Sequence, residues 1–195
     1  MANPGSDRSS RLAVTFDLAH GQVRLGEGDT ARAVLVPAAV WARLVVAAGP
    51  EAARAAGRVF GETLGDRLAA SLGTGTFVDG TIDAAVHALA EELAVVGLGA
   101  LSLERWGQAL VLVIESAPSS DAQPAMDDFV AAVLEGTLSR AARRDVHVRR
   151  LARDGAVLRT IVGSAAALGR LGKWLDEGVP WGDALTRLHA REASA

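Results

Sequence analysis

The 195-residue chain is 50% hydrophobic, carries 20 basic and 23 acidic side chains, and has a formal net charge of -3. That length and apolar content suffice for a full core and exclude a chain that is disordered throughout. The mildly acidic balance argues against nucleic acid as the main partner, and the absence of cysteine excludes disulfides, thiolate metal sites and cysteine nucleophiles.

The polar start "MANPGSDRSSR" holds no apolar signal core. No uncharged run reaches the roughly 18 residues of a membrane span. The expectation is a cytoplasmic protein without a membrane span: residues 1–10 disordered, and residues 11–195 a single α+β domain with an antiparallel sheet packed against helices.

"RLAVTFDLAHGQVRLG" reads as a β-hairpin, with Leu12, Val14 and Phe16 on one side and "AHGQ" at the turn. "RAVLVP" is a further short extended segment ended by Pro37. "AAVWARLVVAAG" is a short helix closed by Gly49, and Pro50 sits where a new helix can start.

Residues 51–72 form the clearest helix. Ala52, Ala56, Phe60, Leu64, Leu68 and Leu72 recur every four residues. Beside them runs a stripe of small residues, Ala53, Gly57, Gly61, Gly65 and Ala69. A glycine inside a helix costs about 1 kcal/mol relative to alanine, so some backbone must come very close to offset three of them. That backbone belongs either to the same domain or to a second copy. Gly57, Gly61 and Gly65 are the candidate interface residues.

"GTGTFVDGT" is a loop without the Lys-Ser/Thr of a phosphate loop, and Thr81 caps a helix over "IDAAVHALAEELAVV". "GALSLERWGQALVLVIESA" is a pair of strands turning at Gly107; its run Leu110–Ile114 is apolar on both faces and predicts a central strand. "PSSDAQP" is a surface loop. A helix follows from Met126 to about Arg143, with Phe129, Val130, Val133, Leu134, Thr137 and Leu138 inward. Asp127 and Asp128 at its start and Arg140, Arg143 and Arg144 at its end match the helix dipole. "DVHVRRLA", a turn at "RDG" and "AVLRTIVGS" make a second hairpin. Ser164 caps a helix ended by Gly178, and Pro180 opens the last one.

Arg140, Arg143, Arg144, His147, Arg149 and Arg150 crowd residues 134–151. Two readings compete: a grip on an anion, or the wet face of a helix and a strand. His147 and Arg149 alternate with Val146 and Val148 and so line one strand face; Arg150 breaks the alternation and marks a bulge or an edge. No aromatic is interleaved for base stacking. An acidic protein partner or nucleic acid, and an anionic small ligand, stay open beside the solvated face.

No catalytic constellation stands out. His20, His87, His147 and His189 lie in separate elements without metal-ligand spacing, and the serines lack a G-x-S-x-G elbow. Adjacent Glu91 and Glu92 point in different directions on their helix. Trp174 and Trp181 are placed to fasten the two C-terminal helices to the core.

The order "GRVFGETLGDRLAASL", "GLGALSLERWGQALVLVIES", "FVAAVLEGTLSRAARRDVHVRRLARDGAVLRTIV" resembles the 4-vinyl reductase domain family, grouped with the TRAPP subunits, over residues 51–178. The resemblance implies an antiparallel sheet against helices, a possible apolar ligand cavity and a tendency to dimerise. Family members often carry a cysteine in each strand of the last hairpin around a central glycine. Here Gly155 keeps the centre, but the flanking positions fall on Leu151 and on Leu158 or Arg159, so no metal or thiol chemistry carries over. With no tyrosine, the Y-x-S-x-R set of the related haem sensors is missing too.

The first reading is therefore a protein without catalytic activity or cofactor, acting as a protein-interaction or scaffold subunit and dimeric through the glycine face. The alternative is a sensor domain holding an apolar small molecule in an internal cavity.

Overall fold

The computed structural model describes residues 14–25, 32–72, 82–107, 109–118 and 124–192. The expected loop 73–81 with its Thr81 cap, most of the "PSSDAQP" loop and the disordered start at 1–10 lie outside these residues. The described chain is α+β, as its sequence predicts: six helices and two antiparallel sheets. Within the span read as one domain, 11–195, two compact units can be told apart, Met1–Trp41 and Ala42–Ala195.

The first unit holds a three-stranded meander, β1 (Val14–Asp17), β2 (Gln22–Leu25) and β3 (Arg32–Ala33). The expected hairpin closes through Gly21 at φ 62°, a conformation glycine adopts without strain. Asp17 accepts hydrogen bonds from the backbone and ring nitrogens of His20, which fixes the turn. Val14 and Phe16, read as sharing one side of the hairpin, are exposed, as are Val34, Leu35 and Val36.

α1 (Ala38–Ala48) begins in this unit and buries Ala42 and Val45. Gly49 ends it at φ 78°, and Pro50 opens α2 (Pro50–Leu72). α3 (Ile82–Val95), β4 (Ala100–Trp106) and β5 (Ala109–Glu115) follow, then α4 (Ala125–Ala142), β6 (His147–Asp154), β7 (Val157–Gly163), α5 (Ala165–Asp176) and α6 (Trp181–Glu192).

The second sheet runs β4-β5-β7-β6, all antiparallel. β5 is central, and Val111 to Ile114 are buried on both of its faces. Val111, Val113, Leu151 and Ile161 pack on Leu168, Leu171 and Leu185 of α5 and α6, with Trp174 and Trp181 at the margin. The two tryptophans thus fasten the C-terminal helices as expected. Leu112, Ile114, Leu158 and Thr160, on the alternate positions, are buried as well. Ser164 caps α5 by accepting from the Ala167 N–H at 3.2 Å.

α4 differs from the reading of its sequence. Every residue from Met126 to Leu138 is buried except Asp128, so the helix is enclosed on all sides rather than on one stripe. A helix apolar around its whole circumference belongs in a core. α2 crosses it closely. A Cβ built on Gly57 would stand 2.8 Å from the Phe129 carbonyl oxygen; one on Gly61 would fall on the carbonyl of Val133, and one on Gly65 would crowd Arg140 and the Thr137 carbonyl. Gly136 answers from α4, where a Cβ would meet the Arg58 carbonyl. The close approach expected of Gly57, Gly61 and Gly65 is therefore made inside the chain, and α4 occupies the face that a dimer through this stripe would need. Ala52 and Ala56, read as part of the inward stripe, are exposed; Leu64 and Leu68 are buried.

Candidate functional site

The candidate site is built on α4 and the edge strand β6. β6 pairs with β7 on one side only, and its register shifts between Arg150 and Ala152. The broken alternation at Arg150 is this bulge. An edge strand leaves backbone N–H groups without a strand partner. At Val148 the vacancy is filled by Glu135, whose Oε2 accepts the N–H at 3.0 Å. The other oxygen, Oε1, takes Arg58 of α2 at 2.5 Å. Gly136 lets the Arg58 backbone lie against α4, which brings that guanidinium beside Glu135.

Around this pair opens a cleft of about 710 Å³. α2 contributes Arg54 and Arg58; β6 contributes His147, Arg149, Arg150 and Leu151. α4 supplies Asp128, Ala131 and Glu135. α5, the turn after it and the start of α6 contribute Leu168, Leu175, Asp176, Val179 and Trp181. The volume lies within the range of small-molecule sites, about 300–1,000 Å³.

The arginines divide into two groups. Arg58 is committed to Glu135. Arg153, only 8% exposed, is committed to the fully buried Asp127: its Nη1 donates at 2.6 Å, its Nη2 donates to the Ala117 carbonyl at 3.0 Å, and its Nε donates to the Gly155 carbonyl at 2.9 Å. Arg140 is tied to Asp66 on α2 at 2.6 Å, and that hydrogen bond raises its pKa. Arg143 sits past the end of α4 at φ 51°, as the left-handed residue that terminates it.

Arg149 and Arg150 are held loosely. Arg149 rests on Gly172, where a side chain would collide with the guanidinium, and stands 3.5 Å from the exposed Asp176. Arg150 is 3.8 Å from Asp128 and 4.0 Å from Asp127. Among the described residues Arg54 has no hydrogen bond or ion pair. The stretch 140–150 is thus not a uniformly solvated face: Arg140 and Arg143 serve the helix, while His147, Arg149 and Arg150 are half-buried in the cleft wall.

Other charged groups lie elsewhere. Glu92 is buried between α3 and α2 with Arg67 Nε 3.0 Å away. Burial pushes its pKa up, against the opposing pull of Arg67 and with a push from Glu91. It does not line the cleft. Trp106 meets Trp181 edge-on at 4.7 Å, and Arg159 stands 5.9 Å over the Trp181 ring. Leu151 and Leu158 are buried apolar residues. Among the described residues no three His, Asp or Glu side chains are grouped to hold a metal ion, and no helix is long and apolar enough to cross a membrane.

Sequence reasoning singled out residues 140–150 but missed Arg54, Arg58 and Glu135. A signal was available. The charged residues between Met126 and Leu138 of α4 are Asp127, Asp128 and Glu135, and carboxylates enclosed in a core need cations close by.

No family model matches the chain, and no curated protein matches it. A solved structure does. The crystal structure of the phenol-responsive sensory domain of the transcription activator PoxR with phenol aligns at a TM-score of 0.57 and 15% identity, covering 90% of each chain. At that identity the two proteins share a fold.

Proposed function

We propose that this chain is a sensor domain that binds a small molecule and has no catalytic activity of its own, with the cleft between α2, α4, β6 and α5 as the ligand site. The cleft carries the reading. It is large enough for a small organic ligand, it gathers charged side chains from helices and a strand, and Leu151, Leu168, Leu175 and Trp181 give it an apolar wall. The fold shared with a phenol-responsive sensory domain supports it. Membership of the 4-vinyl reductase group, suggested by the pattern over 51–178, belongs to the same proposal, as does a cytoplasmic location. The site differs from the apolar cavity that the resemblance implies: it is an open cleft lined with arginine.

The second reading is a protein-interaction subunit. The exposed Val34, Leu35 and Val36 of the first unit favour it, since consecutive exposed apolar residues suit a partner contact. Native mass spectrometry of the protein as purified separates the two. Reproducible extra mass that leaves on denaturation supports the sensor; a bare dimer or a bare hetero-complex supports the interaction subunit.

A further inference from the structure

Resting on the sensor reading, we infer that the ligand of the cleft is a small organic anion with an apolar body, its charged group held by Arg54, Arg149 and Arg150. Four guanidinium groups line the cleft, Arg54, Arg58, Arg149 and Arg150, against three carboxylates, Asp128, Glu135 and Asp176, which leaves an excess of one positive charge. The excess is concentrated in the loosely held side chains. Glu135 already has a partner on each oxygen, Arg58 and the Val148 N–H, and its charge is offset by Arg58. The separations of Arg149 and Arg150 from their carboxylates, 3.5 Å and 3.8 Å, exceed hydrogen-bonding distance, and Asp176 and Asp128 are exposed enough to be solvated. Arg54 has no partner among the described residues.

Three forked donors therefore line one space without a hydrogen bond among the described residues, and a guanidinium fork recognises a carboxylate or a sulfonate through two parallel bonds. A neutral apolar ligand would strip water from these donors and return nothing. Nucleic acid fits poorly, because the surplus is one charge in a concavity on an acidic chain. The apolar requirement comes from Leu168, Leu175, Val179 and Trp181, which line the same cleft.

The test is calorimetric titration of the full chain with benzoate and with benzamide, its neutral isostere, repeated on Arg54→Gln and Arg150→Gln. Arg54 is exposed, and Arg150 is half-buried at 4.0 Å from Asp127, so the Arg54 variant is expected to fold and the unfolding curve of each variant is recorded beside its titration. The expected result is benzoate binding at least about 10-fold tighter than benzamide, with that advantage lost in the variants. Equal binding of the two probes, or benzoate binding indifferent to both substitutions, overturns the anion while the sensor stands. If neither probe binds and the purified protein carries a retained compound, the charge of that compound decides: an anion upholds the inference, and a neutral compound overturns the anion alone. If neither binds and nothing is retained, the sensor reading falls with it.

Discussion

Arg58 on α2 and Glu135 on α4 meet at 2.5 Å, and through the second oxygen of Glu135 the pair also holds the Val148 N–H of the edge strand. One buried carboxylate thus joins two helices to the sheet at the floor of the cleft. Glu135→Ala leaves the Val148 N–H without an acceptor and should cost about 1–3 kcal/mol in urea unfolding. Glu135→Gln keeps an acceptor and should cost less. Arg58→Ala should cost less than Glu135→Ala, because Arg58 is half exposed and water replaces it.

Asp127 and Arg153 form the most enclosed ion pair, with side chains 1% and 8% exposed. Removing one partner strands the other charge away from water. Asp127→Ala should destabilise the protein by about 3–5 kcal/mol. A loss near zero in chemical denaturation would show that Arg153 finds water or another partner.

The glycines of α2 and α5 should respond in opposite directions. Gly61→Ala places a methyl on the Val133 carbonyl, and forcing the helices apart should cost about 1–3 kcal/mol despite the better helix propensity. A Cβ on Gly169 meets nothing within 4 Å on an exposed helical position. Gly169→Ala should raise stability by up to about 1 kcal/mol. The two melting temperatures, read beside the wild type, check both.

Glu92 sets a pH dependence. Burial raises its folded-state pKa above the ordinary 4.5, so the folded chain holds this proton more tightly than the unfolded chain. The destabilising effect of its charge is present above the raised value and disappears as pH falls through it. The stability of the wild type relative to Glu92→Gln should therefore rise as pH is lowered from about 7 to about 4, measured by urea unfolding at each pH. A relative stability that falls over that range would mean that Arg67 outweighs burial.

Much of the local structure was legible because its causes are local. Gly49, Pro50 and Ser164 mark helix ends wherever they occur in such patterns, and the broken alternation at Arg150 is a backbone event visible in three residues. The glycine stripe announced a close approach, but not to what: α4 begins more than fifty residues after α2 ends. The cleft was hidden for the same reason. Arg54 and Arg58 approach Arg149 and Arg150 only because α2 lies against α4 and α4 against β6. Ala52 and Ala56 misled because alanine is at home on either face of a helix, whereas Leu64 and Leu68 are not.

The claim that the cleft is the ligand site is tested most directly by the native mass of the wild type beside that of Gly169→Trp. Gly169 lines the cleft with open space before it, so a tryptophan there narrows the site from an exposed helix position. A reproducible added mass on the wild type, lost from the variant while both remain folded, is the predicted result. The same added mass on both proteins, or on neither, would contradict it.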